Sequence, residues 1–171
     1  SVHSYQRPDA DYVEYDPGAT VIRGQAGSAS FGKIAGETLR FNSFVGFKTP
    51  GFDSNDLGYL RRADEKNISN WVQLRDFSPG RYVRTRNINF NQWAGWNFGG
   101  DLRYKGLNIN SHHTLVSNWR FGGGVNLNGS GFADRLTRGG PGGYTNTVFS
   151  AWSYVNTDDR KMASFNLSAS G

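Results

Sequence analysis

The chain has 171 residues, including 12 Phe, 8 Tyr, 5 Trp and 23 Gly, and carries a formal net charge of +5. Aromatic residues favour strands and glycine supplies turns, so this length and composition predict one all-β domain. The lack of cysteine excludes disulfides and thiolate metal sites, and the mixing of basic with acidic residues argues against a nucleic-acid partner.

Strands are predicted wherever apolar and polar side chains alternate with a period of two residues. The first candidate, Ala19–Lys33, alternates loosely among small residues. The second, Thr38–Lys48, alternates strictly, and the third, Ile68–Phe77, has apolar residues on one side. The apolar face of the second strand comprises Leu39, Phe41, Val45 and Phe47.

The middle of the chain has the strongest alternation, in Asn87–Phe98. Its apolar face comprises Ile88, Phe90, Ala94, Trp96 and Phe98, and its polar face comprises Asn87, Asn89, Asn91 and Asn97. The next candidate, Asp101–His113, changes phase near Gly106, which predicts a β-bulge at that residue.

Three further strands are predicted in the C-terminal part, over Thr114–Asn128, Tyr144–Val155 and Lys161–Ala169. The first of them sets Leu115, Trp119, Phe121, Val125 and Leu127 against Asn118, Arg120, Asn126 and Asn128. About eight strands are thus predicted, mostly joined by short turns, and the composition does not change along the chain. This pattern predicts one antiparallel β domain, as a meander, barrel or sandwich.

Two connections, Thr49–Asn67 and Gly129–Gly143, are too long for simple turns. Loops of this length in a compact domain are usually functional or disordered. Four antiparallel strands are predicted between them, so the chain returns to the rim that it left. We therefore expect both loops on the same side of the sheet.

The apolar face can meet either a second sheet, as in a soluble sandwich, or lipid, as in a membrane barrel. Strand candidates longer than ten residues, a polar face of Asn, Gly, Ser and Arg, and aromatics near strand ends favour the barrel. The residues predicted to face lipid are Phe41, Phe47, Phe90, Trp96, Trp119, Phe121 and Val125. Those predicted to face inward are Asn89, Asn91, Arg120 and Asn126.

Four motifs carry a resemblance to a known family. They are SYQRPDADYVEYDP at Ser4–Pro17, PGFDSNDLGYLRRAD at Pro50–Asp64, LTRGGP at Leu136–Pro141 and DDRK at Asp158–Lys161. With them the chain resembles the C-terminal β-barrel region of a functionally uncharacterised family of bacterial outer-membrane proteins, which also carry an N-terminal carbohydrate-binding-like β-sandwich. The resemblance implies a transmembrane β-barrel and implies no activity.

Two departures from that family shape the domain prediction. The sandwich is absent from the sequence, and the chain ends in SFNLSASG instead of the terminal aromatic residue of bacterial outer-membrane barrels. We therefore expect residues 1–171 to form one β-barrel domain or segment, with the remainder of a larger barrel chain as its partner.

Metal and catalytic sites are predicted to be absent. The acidic residues Asp9, Asp11, Glu14 and Asp16 lack the spacing of a calcium loop, so a solvated turn is preferred. Adjacent His112 and His113 should point to opposite faces of a strand, which disfavours a shared metal. Asp53 and Asp56 have no histidine or glutamate near them in sequence to complete an acid–base pair. No cofactor is expected.

Charged and polar residues in the two long loops form the candidate site. They are Asp53, Asn55, Asp56, Arg61, Arg62, Asp64, Asp134, Arg135 and Arg138. Arg61 or Arg62 is predicted to pair with an acidic residue of either loop, and Arg135 or Arg138 to do likewise, since arginine can bind carboxylate with two hydrogen bonds. These contacts would close the mouth of a barrel; the alternative is a binding site for a glycan or an anionic ligand.

The functional prediction is a non-enzymatic β-barrel of the bacterial outer membrane, serving passage, surface binding or anchoring. The expected partners are outer-membrane lipid and a ligand, which would be a glycan or another small solute. The alternative is a soluble carbohydrate-binding β-sandwich that stacks sugars on exposed aromatic residues.

Overall fold

The computed structural model describes residues 10–13, 18, 20–54, 60, 62–137 and 140–171. In these ranges the regular structure is entirely β, in strands that we number in chain order. They are β1 (Ala26–Lys33), β2 (Leu39–Lys48), β3 (Glu65–Asp76), β4 (Val83–Trp96), β5 (Leu102–Leu115), β6 (Arg120–Gly129), β7 (Phe132–Ala133), β8 (Gly143–Tyr144), β9 (Val148–Asn156) and β10 (Asn166–Ser170). Within the described residues, no helix is long and apolar enough to cross a membrane.

Eight of the strands form one antiparallel sheet in the order β1-β2-β3-β4-β5-β6-β9-β10. Each strand pairs with its neighbour in sequence, apart from the small β7–β8 hairpin that lies within the β6–β9 connection. This confirms the predicted antiparallel meander of about eight strands. In the described part of the chain β1 and β10 are not paired with each other, so the sheet is open and is not a small complete barrel.

The registers sort the side chains of the large sheet onto two faces. One cross-strand row runs through Phe41, Val72, Phe90, Ile109 and Val125. We call the side that carries this row the apolar face and the opposite side the polar face. The register places Phe41, Phe47, Phe90, Trp96, Phe121 and Val125 on the apolar face and Asn89, Asn91, Arg120 and Asn126 on the polar face, which confirms the predicted sorting of these residues.

The strand predicted over Thr114–Asn128 was wrong at its beginning. Its first residues end β5, and a turn at residues 116–119 separates them from β6. Asn118 has φ 64°, a left-handed conformation that asparagine tolerates better than most residues. Its N–H donates to the Leu115 carbonyl at 2.9 Å, which closes the turn. Trp119 therefore belongs to this turn and not to a strand.

The predicted bulge near Gly106 was also misplaced. Gly106 pairs regularly with Trp93, and the register of β4 and β5 shifts between Gly95 and Trp96, where Arg103 is the extra residue. Gly106 is instead required by packing, because a Cβ there would lie 2.4 Å from Cζ2 of Trp93. The change of phase in the sequence was real, and it arose three residues before the glycine.

The rim opposite the long loops is held by a charged turn. Asp158 is buried, and Arg160 donates to its two carboxylate oxygens from Nε at 2.9 Å and from Nη2 at 2.8 Å. These bonds hold the pKa of Asp158 far below its ordinary value. Asn118 of the neighbouring turn also donates to Asp158 at 3.4 Å. The two turns are thus joined at this rim.

Candidate functional site

The apolar face has no protein partner among the described residues. Ala10 and Ala94 are the only buried apolar residues in the described part of the chain, so the sheet lacks an ordinary core. The exposed large apolar side chains of this face include Val45, Phe47, Val72, Leu74, Ile88, Phe90, Leu107, Ile109, Phe121, Val125, Leu127, Phe149 and Val155. A contiguous patch across so many strands exceeds what a soluble monomer ordinarily exposes.

Charged residues bracket the apolar face at both ends of its strands. Lys66 and Lys105 lie at the end near the long loops, and Lys66 Nζ lies 5.0 Å from the ring centroid of Phe98. Asp76 and Arg86 lie at the other end and form an ion pair of 3.2 Å. Between these ends, β3 and β4 have no charged residue on the apolar face.

The apolar face has one polar interruption near its middle. Asn70 of β3 and Gln92 of β4 are cross-strand neighbours, and the Asn70 amide donates to the Gln92 side-chain oxygen. This hydrogen bond lowers the free-energy cost of placing two amides among apolar side chains, since each amide satisfies part of the hydrogen-bonding capacity of the other.

The polar face carries a ladder of asparagine side chains across β4, β5 and β6. Asn89 donates to Asn110 at 2.8 Å and Asn91 donates to Asn108 at 2.8 Å. Asn108 then donates to Asn126 at 2.6 Å. Amides that bond one another across three strands make this face a fixed array of neutral donors and acceptors.

Aromatic rings on the polar face lie against glycines of neighbouring strands. Trp93 covers Gly106, and a Cβ built on Gly124 would lie 3.0 Å from Cε2 of Trp152. Side chains at these glycines would push the rings away from the sheet. The aromatic–glycine pairs therefore flatten the polar face and shield the exposed backbone of the glycines.

The two long connections leave the sheet at the same rim, as the strand count predicts. The first connection is 49–64, between β2 and β3, and the second is 130–147, between β6 and β9. Arg62 of the first connection forms an ion pair with Asp134 of the second, so the pairing predicted for Arg61 or Arg62 is present for Arg62. The structure thereby links the two loops directly.

Around this ion pair lies a cluster of two arginines and two acids, which we call the rim cluster: Arg62, Glu65, Arg103 and Asp134. Asp134 is 2% exposed and the Arg103 side chain is 9% exposed. Arg103 Nε lies 3.7 Å from Asp134 Oδ2, and its Nη1 lies 3.8 Å from Glu65 Oε1. The two positive and two negative side chains balance in charge, which lowers the cost of removing them from water.

Neighbouring residues complete the connections of the rim cluster. Lys48 Nζ donates to the Arg62 carbonyl at 3.3 Å and lies 3.4 Å from Glu65 Oε2. Tyr104 donates its hydroxyl hydrogen to Glu65 Oε1 at 3.2 Å. Strands β2, β3 and β5 thus all contribute to the site, and the loops are tied to the body of the sheet.

Asp64 joins three further segments at the same rim. It has φ 58° and accepts hydrogen bonds from the Tyr12 hydroxyl at 2.6 Å and from the Phe98 N–H at 2.9 Å. Its own N–H donates to the Thr49 carbonyl at 3.4 Å. Asp64 therefore has a structural role, holding the N-terminal segment and the β4–β5 turn against the first loop.

Two of the other predicted site residues, Asp53 and Arg135, lie in the described parts of the two loops. Asp53 lines an open cleft of about 740 Å³ with Arg23, Thr49 and Phe52, between the first loop and the segment that precedes β1. Arg135 is exposed, and the pairing predicted for it stays a prediction. The predicted residues that lie outside the described part are Asn55, Asp56, Arg61 and Arg138.

His112 and His113 lie on opposite faces of β5, as the strand period predicts. His112 Nδ1 is 2.9 Å from the Tyr154 hydroxyl on the polar face, and His113 stacks on Phe121 on the apolar face with centroids 4.8 Å apart. Among the described residues, no group of three or more His, Asp or Glu is arranged to hold a metal ion. Of the four acidic residues for which a solvated turn is predicted, Asp9, Glu14 and Asp16 lie outside the described residues.

Arg103 and Glu65 are the site residues that sequence reasoning missed. Strict alternation would place Arg103 on the apolar face with Lys105 and Leu107. The bulge opposite Gly95 and Trp96 instead turns its side chain towards the rim cluster. The sequence signal was the change of phase in β5, which marks an irregular residue without identifying it.

A family model described as a domain of unknown function, DUF5916, matches residues 9–171. No curated protein and no solved structure matches the chain.

Proposed function

The chain belongs to the DUF5916 family, a domain of unknown function, and from the geometry of its sheet we propose that it forms part of an outer-membrane β-barrel. In this proposal the apolar face contacts lipid and the polar face lines the interior. The protein is not an enzyme; it serves passage, surface binding or anchoring, with the long loops shaping the mouth.

The observation that carries the proposal is the uncovered apolar face opposite a hydrogen-bonded amide face. Burial of apolar surface stabilises a protein by about 25 cal/mol per Å², so leaving this face in water would forgo a large stabilisation. Lipid covers such a face without a second protein layer. The amides of the polar face, in turn, suit a hydrated interior.

The dimensions of the apolar face fit a bilayer. Lys66 and Asp76 mark its ends on β3, and a strand rises about 3.3 Å per residue, which gives about 33 Å along the strand. Strands of membrane barrels tilt by about 35–45°, so the band would be roughly 25 Å tall, as lipid-facing bands are. The charged residues at both ends would then lie at the two interfaces.

The free edges of the sheet support the larger barrel. A strand edge in lipid leaves N–H and C=O groups unpaired at a cost of several kcal/mol each, so membrane sheets must close. We propose that further strands of a longer chain pair with β1 and β10. The segment described here would then be eight consecutive strands of the barrel wall.

The rim cluster gives the long loops a role in this proposal. Arg62 and Asp134 hold the two loops together across the β3–β6 part of the wall. Because Asp134 is buried and contacts both Arg62 and Arg103, the loops would form a fixed constriction and not a pair of free flaps.

Flotation with liposomes tests the proposal. The full-length protein, with the strands proposed to pair with β1 and β10, is purified in detergent and mixed with phosphatidylethanolamine–phosphatidylglycerol liposomes. The detergent is removed, and the sample is centrifuged through a density gradient in alkaline carbonate. We expect the wild type to float with the lipid. The double substitution Ile68→Asn with Val72→Asn, on the apolar face of β3, should abolish flotation.

A matched control uses the other face of the same strand. Ser69→Asn with Gln73→Asn introduces the same side chain at the adjacent positions, and this variant should float like the wild type. A wild-type protein that stays monodisperse without detergent and remains at the bottom of the gradient would contradict the proposal and favour the soluble carbohydrate-binding alternative.

A further inference from the structure

Three aromatic rings lie close together on the polar face. Trp152 and Tyr154 of β9 have ring planes within 8° of each other and centroids 6.1 Å apart. The His112 ring of β5 is 5.7 Å from Trp152 and 5.8 Å from Tyr154, tilted by 35° and 34°. We call these three residues the aromatic platform.

The platform is held down by glycines of β6, the strand between β5 and β9. A Cβ on Gly122 would lie 2.8 Å from Cε1 of Tyr154, and a Cβ on Gly124 would lie 3.0 Å from Cε2 of Trp152. The Tyr154 and Trp152 rings therefore lie close to the β6 backbone, in space that a side chain at either glycine would occupy. The platform residues are only partly buried, so the other side of the rings is available to a ligand.

The groups beside the platform are neutral. Asn110 shares a cross-strand row with Gly124 and Trp152, and Asn126 donates to Ser150 Oγ at 3.2 Å two residues before Trp152. The charged residue of β6 on this face, Arg120, lies at the end of the strand and pairs with Asp159 at 3.0 Å. An ionic ligand would find no counter-charge within the platform itself.

We propose that the aromatic platform binds a neutral oligosaccharide. A pyranose ring has an apolar C–H face that stacks on an aromatic ring and hydroxyl groups that bond to amides, which is the combination found here. The Trp152 and Tyr154 rings are parallel and have centroids 6.1 Å apart, so two sugar units of one chain can each contact an aromatic ring. The inference rests on the proposed barrel, whose interior the platform would line, and it identifies the class of solute.

The alternative is a purely structural role, in which the rings only cover the glycine backbone of β6. That role also explains the close contacts with Gly122 and Gly124, but it gives no reason for a sugar to bind. The experiment must therefore measure ligand binding and folding separately.

Tryptophan fluorescence of the detergent-solubilised protein is titrated with maltohexaose, cellohexaose and chitohexaose. We expect saturable binding of at least one of these probes. Trp152→Ala should weaken it by about tenfold, as loss of one stacking ring does for other ring ligands. Trp152→Phe keeps a ring and should retain most of the affinity, and Tyr154→Ala gives a second test if Trp152→Ala does not fold.

The control is Trp119→Ala, which removes an exposed ring in the β5–β6 turn and should leave the affinity unchanged. Absence of binding for all three sugars, or binding that Trp152→Ala and Tyr154→Ala leave intact, would overturn the inference. Flotation of the same samples separates the two proposals: a protein that floats and binds no sugar contradicts the platform alone, whereas one that binds sugar and does not float contradicts the barrel.

Discussion

Phe90 and Asn91 are consecutive residues of β4 with opposite surroundings. Phe90 is 41% exposed in the centre of the apolar face, and Asn91 donates to Asn108 at 2.8 Å within the amide ladder. The boundary between the two environments therefore falls within one peptide unit. If the apolar face contacts lipid, the same substitution at these two positions should have different consequences.

Phe90→Arg should lower the free energy of unfolding in liposomes by about 2–4 kcal/mol, the cost of a cation near the midplane on the lipid side. Asn91→Arg loses one neutral hydrogen bond, about 1 kcal/mol, and places its charge in water. Urea titration of both variants in liposomes measures the difference. Equal losses would count against a membrane setting.

Asp134→Ala should destabilise the protein by about 3 kcal/mol, because it removes the shared carboxylate of Arg62 and Arg103, two largely buried arginines. The matched control is Asp159→Ala, which breaks the exposed pair with Arg120 and should cost about 0.2–1 kcal/mol. Urea unfolding measures both. A small effect at Asp134 would show that the rim cluster does not hold the loops.

Gly106→Ala should destabilise the sheet by about 1–3 kcal/mol, because the new Cβ collides with the Trp93 ring. The displaced ring should also change the tryptophan fluorescence of the folded protein. Gly80→Ala is the control, since its Cβ would meet only the Val83 carbonyl oxygen, at 3.6 Å. Equal stability of the two variants would contradict the close contact.

The stability of the turn rim should depend on pH through Asp158. Arg160 lowers the pKa of Asp158 in the folded state, so the unfolded chain binds its proton more readily as the pH falls below the ordinary value of 3.8. The contribution is therefore complete above about pH 5 and declines towards low pH.

Asp158→Asn should remove that part of the acid dependence, and Asp159→Asn, in the same turn but exposed, should not. Urea midpoints between pH 2 and pH 6 compare the variants with the wild type. An unchanged slope in Asp158→Asn would show that the Arg160 contact does not stabilise the fold.

The meander followed from the alternation of residues such as Phe90 and Asn91, because a strand period of two separates faces without any knowledge of the partner strand. The common rim of the long loops followed from counting strands. The Arg62–Asp134 pair then needed only that proximity and opposite charge.

Other features depend on tertiary packing, which alternation does not encode. Gly106 was predicted to be a bulge residue, but it pairs regularly and packs under the Trp93 ring. Only the strand register reveals this contact. Arg103 reaches the rim cluster because it is the extra residue of a bulge, between the Gly95–Tyr104 and Trp96–Leu102 pairs. The break at Asn118 required a left-handed residue inside an alternating stretch, and alternation continues through such a turn.

The facing of β4 tests the central claim most directly. The chain has no cysteine, so single cysteines at Ile88, Asn89, Phe90 and Asn91 can each be labelled with an environment-sensitive fluorophore. In liposomes containing brominated lipid, the proposal predicts strong quenching at Ile88 and Phe90 and weak quenching at Asn89 and Asn91. Equal quenching at all four positions, or none at any, would contradict a lipid-facing apolar face.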